Sequence, residues 1–239
     1  MVGWYDPGQL IKTGWEVIVS AMFGKHADKR IIQAISETGN AKPRLFHQIT
    51  GFDDKEFWFD YVSDVGDGFD PTYTVAYHIT RPNLRVGTRG KRSEAEITKR
   101  GNLIVFGGDE VYPAADPKEY EARLKCPYSL AFPAPTRAQK AKATEAAPLA
   151  FAIPGNHDWY DSLAGFMNLF CRQKYFCGWQ TQQTRSYFAV KLPHGWWLFG
   201  TDMQLSSTLD DPQMNFFEKI VREHMLPGDR IILCNAEPH

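Results

Sequence analysis

Asp64, Asp109 and Asn156 are the residues whose types and spacing best suit chemistry. Each stands just beyond an apolar, strand-like run, and the three lie 45 and then 47 residues apart. Two metal ions held about 3.5–4 Å apart need at least one shared carboxylate and further oxygen or nitrogen donors. Single ligands at the tips of neighbouring strands meet that need, because the sheet fixes their separation. Gly108 and Gly155, directly before Asp109 and Asn156, let backbone and ligand come close. The first of the three has acidic neighbours: "SDVGDGFD" places Asp64, Asp67 and Asp70 within seven residues. That density also suits a calcium loop or a solvated turn. An EF-hand loop wants oxygen ligands at positions 3 and 5 and Glu at 12. Counted from Asp64, those positions hold Gly66, Gly68 and Val75, so the calcium reading fails. Asp70, just before Pro71, is placed to cap a helix. Asp67, between two glycines, is either solvated or a support to Asp64.

With these residues in hand, "GNHD" (Gly155 to Asp158), "GD" (Gly108-Asp109) and a strand-terminal Asp64 resemble, in order and spacing, the calcineurin-like metallophosphoesterase superfamily. Many members carry Asp-x-His in the first motif, whereas Gly66 stands at the His position here. Asp-x-Gly followed by Gly-Asp-x-x-Tyr is similar to the purple acid phosphatase branch, in which the tyrosine ligates a ferric ion. That resemblance implies a metal role for Tyr112; the plain alternative is a turn tyrosine ahead of Pro113. It further implies a dinuclear, metal-dependent phosphoesterase holding two ions of Fe, Mn or Zn. Asp109 would bridge both, Asp64 would hold the first and Asn156 the second. A metal-bound hydroxide would attack the phosphorus of a phosphate mono- or diester, since coordination lowers a water's pKa from 15.7 to about 7. His157 would contact the phosphate or the leaving group, with Asp158 orienting its ring. Glu110 reads as a solvated neighbour, and Asp202 as either a supporting acid or a turn acid.

The later part of the family pattern is not met. A His-x-Pro spacing would put the next ligand at Ala236, before Pro238, and a Gly-His-x-His motif does not occur. Asn235, Glu237 and His239 are the nearby candidate ligands. The expectation is therefore a metallophosphoesterase domain incomplete at its C-terminus, whose remaining ligands lie on a continuation past His239. The alternative is an inactive, metallophosphatase-like binding module.

The elements that must position these residues alternate between strand and helix, which indicates an α/β fold with its site beyond the strand ends. Four apolar runs end in polar residues, at Asp64, Asp109, Asn156 and Asn235. Helices are expected over 71–80, from Asp116 as cap with Pro117 at its first position, and over 211–225. A hairpin is expected to turn at Pro193-His194-Gly195. The resemblance implies a β-sandwich flanked by helices, in four layers α/β/β/α, spanning 57–239. An insertion occupies about 113–148, its Ala/Pro/Lys-rich part from 131 linker-like. Residues 1–56 form a helical extension whose Ile11, Trp15, Ile18 and Met22 share a face expected to pack on the domain.

Composition sets the remaining bounds. The 239 residues carry a formal net charge of −1 and are 43% hydrophobic, so nothing global draws the chain to nucleic acid or an anionic membrane. Seven basic residues against two acidic ones between Arg81 and Arg100 read as a solvated loop able to guide anions. Four cysteines without paired spacing, no signal-peptide layout and no membrane-length apolar run give a cytoplasmic expectation.

Overall fold

The computed structural model describes residues 5–8, 10, 11, 13–15, 45–50, 56–87, 95–136, 138, 139, 147–203 and 208–236. Their order is β1 (His47–Gln48), β2 (Phe59–Val62), α1 (Phe69–Ile79), β3 (Asn83–Val86), β4 (Glu96–Lys99) and β5 (Leu103–Phe106). A helical run over 117–131, α2, follows: an α-turn at Pro117–Glu119, a π-helix at Tyr120–Lys125 and an α-helix at Cys126–Ala131. Then come β6 (Leu149–Ala152), a 3₁₀ turn (His157–Asp161), and α3 over 164–171, whose second half, Met167–Cys171, is also π-helical. The chain closes with β7 (Tyr175–Phe176), β8 (Trp179–Thr181), β9 (Phe188–Lys191), β10 (Trp196–Gly200), α4 (Asp211–His224) and β11 (Arg230–Cys234).

The fold is α/β, with two main sheets and a small one. The first sheet has the order β2-β5-β6-β8-β7, parallel except for β7. The second has the order β1-β9-β10-β11, with β9 and β10 forming the expected hairpin across Pro193–Gly195. His47–Gln48, ahead of residue 57, pairs in parallel with β9 and so belongs to this sheet. The basic stretch differs from the solvated loop expected of it. β3 and β4 pair antiparallel as a separate, largely exposed hairpin, with Leu84 opposite Thr98, Arg85 opposite Ile97 and Val86 opposite Glu96.

Alternation along the strands sets the layers. Leu103, Val105, Phe151 and Ile153 meet Phe188, Val190, Leu198 and Cys234 between the two sheets. The opposite face of the first sheet, with Ile104, Phe106 and Ala152, packs on Ala76 of α1, Leu124 and Tyr128 of α2 and Phe166 and Phe170 of α3. On the far side, Trp197 and Phe199 pack on Phe216, Phe217 and Ile220 of α4. β5 is buried along its whole length, as a parallel strand covered on both faces must be, and that is why it reads as an unbroken apolar run.

Local signals worked where a side chain meets the backbone. Asp116 Oδ1 accepts from the Lys118 and Glu119 amides at 2.8 and 2.9 Å, capping α2 as expected. Asp210 caps α4, accepting from the Gln213 amide. Asp70 is a correction: α1 begins earlier, with Gly68 at the cap position and no side-chain cap. Asp70 instead sits in the first turn, where a carboxylate favours the positive helix end. Of the N-terminal helical face, Ile11 and Trp15 are exposed rather than packed, and Ile18 and Met22 lie outside the described residues. No helix among the described residues is long and apolar enough to cross a membrane.

Candidate active site

The paired row Val62–Phe106–Ala152 runs straight across β2, β5 and β6. Asp64, Asp109 and Asn156 follow that row by two, three and four residues, so parallel pairing brings all three tips to one end of the sheet. Both aspartates adopt left-handed backbone conformations, φ 55° for Asp64 and 52° for Asp109. Such conformations cost on the order of 1 kcal/mol or more each and cluster where function holds them in place. Gly108, at φ 107°, completes the turn that exposes Asp109.

Tyr112 joins the two acids. Its hydroxyl lies 2.6 Å from Asp64 Oδ1 and 3.0 Å from Asp109 Oδ2, and its proton is shared between them. Burial first, then the bond to Asp64 and the nearby acid charges, raises its pKa well above the ordinary phenol value. Asp109 is also raised, chiefly by burial, against the opposing pull of the His157 amide, which donates to Oδ1 at 2.9 Å. Asp109 thus presents one oxygen to Tyr112 and the other to the Asn156–His157 turn.

The glycine at position 66 has a steric cause. A Cβ there would stand 2.1 Å from the Glu110 carbonyl oxygen and 2.6 Å from Val111 Cα. The second motif crosses directly over the first, and Tyr112 N–H donates to the Gly66 carbonyl at 3.2 Å. No imidazole fits at 66 in this geometry, and the Tyr112 phenol reaches the acids instead. Gly155 is closed in the same way, since a Cβ there would meet Asp109 Oδ1 at 2.1 Å.

His157 lies between Tyr112 and Tyr160, with ring centroids 4.6 and 4.8 Å away. Its Nδ1 is 2.7 Å from the Pro113 carbonyl, which only accepts, so Nδ1 carries a proton and Nε2 is the atom that gains or loses one. Asp158 was expected to orient this ring, but its carboxylate is engaged with other groups. Fully buried, it accepts from Gly155 N–H (2.8 Å), Glu110 N–H (3.4 Å) and the Tyr120 hydroxyl. It therefore ties the second and third motifs together beneath the site.

Glu110, read from sequence as solvated, is completely buried. Its Oε1 accepts from Gly108 N–H at 3.0 Å, and no donor faces its Oε2. Burial first, then the nearby Asp158 carboxylate, raise its pKa well above the usual carboxylate range. Asp202 is buried too and accepts from Ser186 Oγ (2.5 Å) and Trp159 Nε1 (3.0 Å), bracing the turn that carries His157. Tyr120 and Pro113 were not anticipated. Tyr120 looks like any apolar residue of α2, and its partner lies 38 positions away.

The donors were tested for fit to the implied metals. Asp64, Asp109 and Tyr112 place three hard oxygens together, which suits one cation that prefers oxygen. Asn156 stands nearby, its amide nitrogen 3.4 Å from the Tyr160 hydroxyl, on the side that Asp109 Oδ1 faces. Among the described residues no three His, Cys, Asp or Glu side chains gather as a cluster. Asn235 follows β11, and Ala236 packs beside Gly108 from across the sandwich, 2.7 Å from where a Cβ on that glycine would sit. Glu237 and His239 lie outside the described residues. No protein-family model matches this chain, and no curated protein matches it.

Proposed function

We propose that the chain is a metal-dependent phosphoesterase of the calcineurin-like superfamily, closest in motif to the purple acid phosphatase branch. One observation carries the reading. Two aspartates at adjacent strand tips, both held in left-handed conformations, converge on the hydroxyl of Tyr112 with His157 beside it. The two facing sheets with helices outside support it, since they are what the superfamily's sandwich would require.

In this reading Asp64, Asp109 and Tyr112 hold the first cation. Asp109 Oδ1 and Asn156 serve the second, with Asn235, Glu237 and His239 as further candidates. Cations held there supply Lewis acidity and an activated water. The protein's own part is positional. The Pro113 carbonyl fixes the His157 ring so that Nε2 can pass a proton to the departing alcohol oxygen. Asp158 sets the spacing of the two loops, and neutral Glu110 keeps a further charge out of the site.

The test is hydrolysis of an aryl phosphate by the chain with Fe, Mn or Zn added, wild type against Asp109→Asn. Turnover that survives Asp109→Asn undiminished sinks the mechanism. Metal binding without turnover in the wild type favours the binding-module alternative. With Fe(III), a phenolate ligand gives a visible charge-transfer band, expected in wild type and absent in Tyr112→Phe.

A further inference from the structure

Beside the candidate centre, a groove of about 360 Å³ opens between the end of β2 and the first turns of α1. Asp64 itself forms part of its wall, so the groove is continuous with the proposed centre. Its other walls are mostly apolar: Tyr61, Val65, Pro71 and Val75. Tyr61 and Val75 both leave part of their apolar surface exposed, 46% and 40%. Their exposure coincides with a concavity of the size that takes small organic groups.

One polar group in the wall is unaccounted for. Thr72 is 2% exposed, and its Oγ1 has no hydrogen-bond partner. Threonines in helices ordinarily satisfy the hydroxyl on the carbonyl four residues back. On the same helix, Thr74 does so to Asp70 at 2.8 Å and Thr80 to Ala76 at 2.7 Å. Thr72 does not, and a buried unpaired hydroxyl is a standing cost that a ligand atom would remove.

We propose that this groove seats the alcohol portion of the substrate, and that the preferred substrate is a phosphate ester of an uncharged, largely apolar or aromatic alcohol with one hydrogen-bonding atom for Thr72. This inference rests on the phosphoesterase reading.

The experiment is calorimetric binding of non-hydrolysable phosphonates to the full chain with Mn(II). Benzylphosphonate, 4-hydroxymethylbenzylphosphonate and methylphosphonate are the probes, against wild type, Val75→Asp, Thr72→Val and Asp109→Asn. Val75 is partly exposed, so its variant is expected to fold, and thermal melting checks this for each protein. Wild type is expected to bind benzylphosphonate about tenfold or more tightly than methylphosphonate, from burial of the ring. Val75→Asp is expected to bring benzylphosphonate down to the methylphosphonate level. Thr72→Val is expected to weaken 4-hydroxymethylbenzylphosphonate, which carries a hydrogen-bonding atom, more than benzylphosphonate. Equal affinities in wild type, or a benzyl preference that survives Val75→Asp, overturns the groove while leaving the phosphoesterase reading intact. Binding of none of the probes, or binding indifferent to Asp109→Asn, overturns both.

Discussion

Gly66→Ala is the substitution with the sharpest structural forecast. The added Cβ would lie 2.1 Å from the Glu110 carbonyl oxygen, over 1 Å inside normal contact, and 2.6 Å from Val111 Cα. Those atoms are main chain, and they have little freedom to move. The Glu110 amide donates to Asp158, its side chain accepts from Gly108, and the Tyr112 amide donates to Gly66 itself. Overpacking a well-filled site costs about 1–3 kcal/mol, and an obstacle of fixed backbone puts this case at the upper end. For a chain of this size, about 3 kcal/mol lowers the melting temperature by roughly 6–12 °C. Gly14→Ala is the control, since nothing lies within 4 Å of a Cβ there. Thermal and urea denaturation of wild type and both variants measure the difference. Equal melting of the two variants would refute the claim that the second motif closes over position 66. A chemical corollary follows: Gly66→His added to Tyr112→Phe restores no metal binding, because the imidazole has no room.

Tyr112→Phe itself is expected to cost no more than about 1 kcal/mol of stability, since the lost bond is half exposed. Its metal affinity should nevertheless fall at least about tenfold by calorimetry, one lost ligand bond being worth that much. In the wild type, metal must displace a phenol proton held above its ordinary range, so Fe(III) affinity should rise with pH and binding should release a proton, measurable from buffer-dependent heats. Glu110→Gln keeps the acceptor for Gly108 and offers an amide donor to Asp158. Glu110 has a folded pKa raised above its unfolded 4.5, so its contribution to stability is complete below that pH and is lost as pH climbs toward the folded value. The variant should therefore gain on wild type as pH rises from 5 to 8, and a constant gap in urea titrations would exclude a protonated Glu110. Asp158→Ala leaves Gly155 N–H, Glu110 N–H and the Tyr120 hydroxyl without their buried acceptor, and should cost about 3–5 kcal/mol.

Much of this arrangement was legible in the sequence because it is local. Short apolar runs ending in a polar residue, two of the three with Gly directly before it, are strands ending in turns, and the three sit side by side once parallel pairing is assumed. Asp116 and Asp210 cap helices because a carboxylate two or three residues from an amide reaches it in any context. The failures are all tertiary. Whether Glu110 is solvated depends on what covers it, and the cover is α2 with Asp158, supplied from 48 residues on. The ring of His157 took the Pro113 carbonyl, 44 residues back, where spacing suggested the adjacent acid. Asp70 lost the cap position because α1 begins two residues earlier than expected, at Phe69, which puts Asp70 inside the first turn. The basic stretch formed a hairpin through backbone pairing of residues 83–86 with 96–99, a weaker signal in sequence than seven positive charges.

The acids of the site show why the buried pair beneath it matters. Asp64, Asp109, Glu110 and Asp158 bring four carboxyl groups to three short loops, and four charges at that density would repel strongly in a partly dry setting. The structure divides them by depth. Asp158, fully buried, is met by two amides and a phenol, and burial together with the Asp158 carboxylate pushes the pKa of Glu110 well above the usual carboxylate range. The Asp158 carboxylate is thus taken up by backbone groups of the loops after β5 and β6. Asp64 and Asp109 stand nearer the surface, turned outward by left-handed backbones, with the proton of Tyr112 between them. Under the proposed function, that proton is the one a cation would replace. The same logic explains why Glu110 cannot be exchanged for an apolar residue without consequence. Glu110→Leu would leave Gly108 N–H without its acceptor, in the turn that carries Asp109.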